Sequence, residues 1–340
     1  MKNLGFLILA GLAVCVATLG CAEQEKSFPS KNLRIICPWG AGGGTDRISR
    51  FFADELKKRL NMNCVVVNRT GGSGAVGHKA GANAKPDGHT IAMITAELST
   101  MHQLEITDIT YEDYRPLLQM NGDPAAILVG KNSDYQTLAQ FLDAVKQNPG
   151  TLKMSGTATG GTWDLARVGL FQKAGLSKDD VIWVPTQGSA ESLQLLLGGH
   201  LDAVCCSLPE AALQLRSSEV VGIAVMAPAR DSSFPDIATA TEQGVQWTSI
   251  GWRGFATQRN VPGSVANLLK EHLVEIANSD EYRSFMQEQG FTIDIKVGEE
   301  FRQFLEESFL SILQTLFNPL YVTAHTWYLF FWTILCFRDH

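Results

Sequence analysis

Apolar residues fall into two kinds of run along this chain. Leu33 to Cys37, Cys64 to Asn68, Thr90 to Thr95, Ala125 to Val129, Leu152 to Ser155, Val181 to Val184, Asp202 to Cys206 and Val220 to Met226 are short, β-rich and bounded by turn residues, so each predicts a buried strand. Between them the period lengthens. Ile48, Phe51, Phe52, Leu56 and Leu60 recur at helical spacing within Arg47 to Leu60. Helices are also expected over Thr137 to Gln147, Thr162 to Lys173, Ala190 to Leu197, Gly263 to Ala277 and Asp280 to Glu288. Strand and helix alternate, which predicts an α/β fold with mainly parallel sheets. No repeat, low-complexity tract or linker interrupts the alternation. Two lobes joined by more than one chain crossing would account for the missing linker.

The two ends depart from this pattern. In residues 1–21, Lys2 is the only charge, Leu4 to Leu19 is almost wholly apolar and Gly20-Cys21 closes the run, which reads as an export signal peptide. The ending Thr18-Leu19-Gly20-Cys21 resembles a bacterial lipobox, in which Cys21 becomes lipidated and begins the mature chain. Ordinary cleavage near Ala22 and a transmembrane anchor are the alternatives. Either form of cleavage places the protein in the periplasm or on the outer face of the cell membrane. Residues 309–340 form an atypical hydrophobic tail, with no Asp, Glu, Lys or Arg from Phe309 to Phe337. A membrane anchor, a partner-binding tail and a tail with no selected role are the readings it admits.

Charge and cysteine content remove several functions. The chain has 28 basic and 35 acidic residues, a net charge of -7, with no basic stripe, so nucleic acid is not an expected partner. An anion would have to be held by local N–H groups and hydroxyls. Of the 7 cysteines, Cys15 and Cys21 belong to the leader, Cys37 and Cys64 sit in strand runs as small core residues, and Cys205-Cys206 are adjacent. No CxxC or His/Cys spacing points to a metal.

The candidate chemistry lies in glycine-rich turns. Pro38-Trp39-Gly40-Ala41-Gly42-Gly43-Gly44-Thr45-Asp46 connects a strand to a helix. Glycines leave N–H groups uncovered, and a helix N-terminus adds unpaired N–H groups and a positive dipole end, together a seat for a carboxylate or phosphate. A plain turn capped by Thr45 or Asp46 is the simpler alternative. A P-loop is not expected, because Gly44 is followed by Thr45-Asp46 and not by Lys-Ser/Thr. The device recurs at Gly156-Thr157-Ala158-Thr159-Gly160-Gly161-Thr162 and at Pro185 to Glu191, where Thr162 and Ser189 also suit as N-caps. Gly72, Gly74 and Gly77 match GxGxxG, and Glu97 lies about where a dinucleotide site wants an acid, although export counts against a nicotinamide enzyme. No GxSxG elbow is present. His78 and His89 read as surface or loop residues. Asp46, Asp164 and Arg253 read as ligand-orienting or capping groups.

Five blocks in order, PWGAGGGTD, NRTGGSGAVG with Lys85 to Thr90, SGTATGGTWDLA, GSAESLQLLLGGHLDAV and Gly251-Trp252-Arg253-Gly254-Phe255, resemble the substrate-binding proteins of tripartite tricarboxylate transporters, the Bug family of solute receptors. The likeness covers Ser30 to Glu307. It implies a two-lobed periplasmic-binding-protein (type II-like) fold, with residues 31–127 and 250–308 in one lobe and 128–249 in the other. It implies that Trp39, Ala41, Gly42, Gly43, Gly44, Thr45 and Asp46 grip a ligand carboxylate, partly through waters. Ser155, Gly156, Thr157, Gly160, Gly161 and Thr162, with Gln187, Gly188 and Ser189, would grip the other end, and Cys206 would tune specificity. Asp164 stands where the family often has His, so an acid there would repel an anion or select a cationic group. The implied protein is a monomer, not an enzyme, needs no cofactor or metal, and delivers a small carboxylate to transporter membrane subunits. Presentation of the ligand to a sensor protein and a dinucleotide-dependent enzyme are the alternatives.

Overall fold

The structure is a computed structural model that describes residues 28–316, with side chains through 310. The expected leader with Cys21 and most of the hydrophobic tail lie outside the described residues.

Strand β1 (Leu33–Cys37) leads through the first glycine turn into α1 (Gly44–Leu60), and β2 (Cys64–Asn68) follows. Ile48, Phe52 and Leu56 form the buried face of α1, and Asn61 ends it in the left-handed conformation. A short α2 (Ala75–Ala82) and β3 (Thr90–Thr95) complete a parallel unit in which β1 pairs with both β2 and β3. The chain then enters β4, which runs from Tyr114 to Gly130. A second unit contains α3 (Leu138–Gln147), β5 (Lys153–Ser155), α4 (Thr162–Lys173), β6 (Ile182–Trp183), α5 (Ser189–Leu197), β7 (Ala203–Ser207), α6 (Ala212–Arg216) and β8 (Val220–Val225). Strand β9 (Ile250–Gln258) returns to the first unit, and α7 (Gly263–Ala277), α8 (Asp280–Gln289), β10 (Lys296–Val297) and α9 (Glu299–Leu316) close the described chain.

The strands run in the order β2-β1-β3-β9-β4-β7-β5-β6, with β8 and β10 also paired to β4. The sheet is mixed, which corrects the expectation of mainly parallel pairing. Pairs β1–β2, β1–β3, β5–β6 and β5–β7 are parallel, whereas every pairing of β4 and β9 is antiparallel. These two strands carry the chain between the units. The first part of β4 pairs with β9, and from Ala125 onward it pairs with β7 and β8. At the crossover the Ala125 N–H donates to the Ser249 carbonyl at 2.9 Å, so the two crossings lie side by side.

The cores reflect this division. One apolar cluster is drawn from residues between Ala125 and Val245, and another from Leu33 to Met120 with Phe255 to Phe291. A smaller cluster lies under α9, where Phe301 and Leu305 are buried among Ile94, Leu98 and Trp252. The closing helix therefore outlasts the point where the family likeness stopped, and Phe309 still meets Tyr111 with ring centroids 5.6 Å apart. Among the described residues, no helix is long and apolar enough to cross a membrane.

Of the two histidines expected at the surface or in loops, His89 lies in the loop before β3 and His78 in α2, and both are buried. His78 Nδ1 lies 2.9 Å from the Gly74 carbonyl and Nε2 accepts the Thr95 N–H at 3.2 Å, so the ring is a neutral internal tie with its proton on Nδ1. Burial depresses its pKa. His89 Nε2 accepts from the Ser30 N–H at 3.2 Å and fastens the entry to β1.

Candidate functional site

Two turns at the carboxyl ends of β1 and β5 have the same internal construction. In the first, Gly42 takes φ +83°, a left-handed conformation that a side chain would strain, and Gly43 is an extended N-cap at φ -73°, ψ 171°. The Gly42 N–H donates to Asp46 Oδ2 at 2.9 Å, and Arg50 Nε bonds the same oxygen at 2.9 Å. In the second, Gly160 takes φ +74° and Gly161 is an N-cap at φ -75°, ψ 167°. The Gly160 N–H donates to Asp164 Oδ2 at 2.9 Å, and Arg167 pairs with the other oxygen of Asp164. Each turn is thus fixed from within by an Asp four residues after its left-handed glycine, with an Arg one turn further along the helix.

This settles the work of the two aspartates. Asp46 also accepts from Asn68 Nδ2 at 2.8 Å. Burial alone would raise its pKa, but Arg50, the Gly42 amide and Asn68 outweigh burial and hold the carboxyl below its ordinary range. Asp164 neither repels an anion nor selects a cation in the cleft, because the Gly160 amide and Arg167 occupy it.

The helix starts beyond these turns differ. No side chain caps α1. Its Thr45 hydroxyl accepts from Arg253 Nε at 3.0 Å, and Arg253 continues to Asp123 at 2.7 Å and to Glu210 at 3.0 Å. A Cβ on Gly44 would stand 2.9 Å from both Arg253 Nη2 and Glu210 Oε1, so glycine lets that ion pair pack against the helix start. Burial works against the charge of Arg253, and Glu210 and Asp123 reverse that and raise its pKa. Burial raises the Asp123 pKa, with Arg253 and Thr292 opposing. At α4, by contrast, the Thr162 N–H donates to Glu97 Oε1 at 2.9 Å, and Thr95 Oγ1 donates to Glu97 Oε2 at 2.5 Å.

The two turns and the start of α5 face one cleft, which encloses about 410 Å³ of non-atom space, open solvent included. Trp39, Gly43, Gly44 and Thr45 line it from the first unit, and Thr157, Thr162, Gly188 and Ser189 line it from the second. The other expected site residues stand behind this lining or outside it. Ala41 and Gly42 are exposed, and a Cβ on Gly42 would stand 4.0 Å from Ala190 Cβ of α5. Ser155 is fully buried and bonds the Val184 carbonyl at 2.6 Å and Ser192 Oγ at 2.9 Å. Gly156 is glycine because a Cβ there would lie 2.0 Å from the Cys205 carbonyl. Gly160 and Gly161 shape the second turn. The Gln187 N–H donates to Glu191 and its carbonyl accepts the Gly40 N–H at 2.9 Å.

Cys206 does not reach the cleft. It is fully buried in β7 with Sγ 3.5 Å from the Ser207 carbonyl, and burial raises its pKa well above the usual thiol value. Every residue of β7 is buried, and Cys206 belongs to the apolar cluster of the second unit.

The lining also takes in residues outside the expected grip, and of these only Arg253, read as a ligand-orienting or capping group, and Glu97, read as a dinucleotide-site acid, carried a signal. Thr95, Glu97, Trp163, Glu210 and Arg253 all border the cleft. Glu97 follows the carboxyl end of β3, where ligands of open α/β sheets collect. Glu210 belongs to Ser207-Leu208-Pro209-Glu210, a readable capping box. Arg253 lies in the GWRGF block. The GxGxxG glycines serve packing: a Cβ on Gly77 would lie 2.5 Å from Pro38 Cα, and Ser73 Oγ donates across the cleft to the Thr159 carbonyl at 2.6 Å.

A family model described as the tripartite tricarboxylate transporter family receptor (TctC) matches residues 48–311. A TctC solute-binding protein from Polaromonas, solved with no ligand, is 31% identical and aligns over 86% of this chain and 99% of its own, with a TM-score of 0.61. The periplasmic binding protein BugD is 22% identical over 85% of this chain and 97% of its own, at a TM-score of 0.80. MatC from Rhodopseudomonas palustris, solved with bound malate, is 22% identical over 84% of this chain and 98% of its own, at 0.77. The architecture is the two-lobed periplasmic-binding-protein fold.

Proposed function

The chain belongs to the tripartite tricarboxylate transporter receptor family, and on that premise we propose that it captures a small carboxylate outside the cytoplasm and delivers it to the membrane subunits of a transporter. The observation that carries this reading is the uncapped start of α1, open to the cleft at Gly43, Gly44 and Thr45. A carboxylate leaving water needs several hydrogen bonds to offset its lost hydration, and clustered N–H groups at a helix start supply them at fixed positions. Thr157 and Ser189 add hydroxyls from the opposite side. MatC, a relative by fold, holds malate, which suits a seat of this size.

Lobe closure follows the same logic. We assign residues 31–127 and 250–308 to one lobe and 128–249 to the other. The Gly40–Gln187, Ser73–Thr159 and Thr162–Glu97 hydrogen bonds then join the lobes across the cleft. Such contacts form a latch when lobes shut over a ligand, and the shut surface is what a membrane partner reads. Export as a monomer with a lipid on Cys21 completes the proposal. An intact mass that begins at Cys21 and carries a lipid is the expected result for that part.

The direct test is a thermal-shift screen of the exported protein against mono-, di- and tricarboxylates. A ligand that binds only the folded state raises the midpoint by mass action. A selective rise, lost in Thr45→Val, is expected. A clean unfolding transition that no carboxylate moves would overturn the receptor reading.

A further inference from the structure

The acidic side chains buried around the cleft are not equally compensated. Asp46 pairs with Arg50 at 2.9 Å, Asp123 with Arg253 at 2.7 Å, and Asp164 with Arg167. Glu210 shares Arg253 at 3.0 Å. Glu97 is 4% exposed, and among the described residues no Lys, Arg or His makes an ion pair with it. A buried carboxylate without a cation is unfavourable unless something else balances the charge.

What it has is partial. Thr95 Oγ1 and the Thr162 N–H use two of the roughly four acceptor positions of a carboxylate. The start of α4 contributes a dipole worth about half a charge. The remainder borders the cleft. Arg253, the cationic residue in the lining, feels the charge of Glu97 but gives its hydrogen bonds to Thr45, Asp123 and Glu210.

We propose that Glu97 seats a cationic nitrogen of the ligand, so that the bound molecule is a short zwitterion and not a dicarboxylate. This rests on the carboxylate-receptor reading above. The ligand carboxylate sits at the open start of α1, and its ammonium group completes the charge of Glu97. At the α4 end a second ligand carboxylate would meet an amide that already holds Glu97 and would lie beside a like charge. Trp39 and Trp163 also border the cleft, and indole faces favour a cation over an anion.

Calorimetric titration of the full chain with length-matched pairs decides the matter: glycine and malonate, β-alanine and succinate, 4-aminobutyrate and glutarate, 5-aminopentanoate and adipate. In at least one pair the amino acid should bind about tenfold or more tighter than its dicarboxylate, the scale of one hydrogen bond between charged groups. Glu97→Gln keeps an acceptor for the Thr162 amide and should erase that preference. Tighter binding of the dicarboxylates by the native chain would overturn the inference and leave the receptor reading standing. An amino-acid preference unchanged in Glu97→Gln would also overturn it. Binding of neither series by well-folded protein would remove both.

Discussion

The turns at Gly42–Asp46 and Gly160–Asp164 share a left-handed glycine, an extended glycine N-cap, an Asp that takes back the glycine amide and an Arg that holds the Asp. They nevertheless end in opposite states. The first leaves its helix start open beside Arg253, and the second is covered by Glu97 from the other side of the cleft. Local sequence builds the same device twice. What the device binds is decided by the residue that faces it, which comes from a distant part of the chain. The difference also separates two kinds of arginine, since Arg253 is buried between two acids while Arg50 braces its turn from the surface.

The largest expected effect tests that separation. Arg253→Met leaves Asp123 and Glu210 buried without a cation and should cost about 3–5 kcal/mol of stability, measured by urea unfolding. Arg50→Met, whose side chain is 51% exposed, should cost less than about 1 kcal/mol. Equal losses would mean that the two arginines do the same work and that the contrast is false.

Next in size is the effect of closing a turn. The atoms nearest a Cβ on Gly44 are the flexible ends of Arg253 and Glu210, so Gly44→Ala should fold. It covers the open helix start and should weaken carboxylate binding about tenfold or more. Gly161→Ala meets Thr157 Oγ1 at 2.6 Å and the Ala158 carbonyl at 3.0 Å, so its cost should fall mainly on stability. The pair separates binding from bracing, read by titration on one side and by unfolding midpoint on the other. Smaller still, Gly42→Ala and Gly160→Ala each force a side chain into the left-handed region and should each cost about 1–2 kcal/mol. Near-equal losses are expected if the two turns are one design.

Legibility in the sequence follows the same division between local and distant. The first turn, α1 and the parallel strands were readable because their signals are contiguous: apolar runs, glycines, and a helical period. The first part of β4 and the whole of β9 were not, because Pro116, Gly122 and Pro124 interrupt one and Gly251, Arg253 and Gly254 the other, whereas the uninterrupted Ala125 to Val129 end of β4 reads as a strand. Gly254 is glycine because Phe301 packs against it, so the burial that makes β9 a strand is supplied by a residue of α9. Helix α2 is rich in Ala and Gly and has no apolar stripe to show. At the site, Asp164 looked like the acid that would choose the ligand's charge. Its sequence neighbours could not show that Arg167 holds it, or that Glu97, 67 residues earlier in the chain, stands at the same helix start.

The finest test of the turn comparison is the acid limb of stability. The folded-state pKa of Asp46 lies below the ordinary 3.8, because Arg50, the Gly42 amide and Asn68 outweigh the effect of its burial. Below that ordinary value the unfolded chain binds a proton at this position before the folded chain does. The contribution of Asp46 is therefore complete at higher pH and is lost as pH falls through the folded-state pKa. Asp46→Asn keeps an acceptor for the Gly42 amide but has no proton to take up. Its stability should start lower at neutral pH and decline less steeply below about pH 4 than that of the native chain. Parallel acid limbs would mean that the charge of Asp46 does not brace the turn. The shared architecture would then rest on the glycine conformations and the amide hydrogen bond alone.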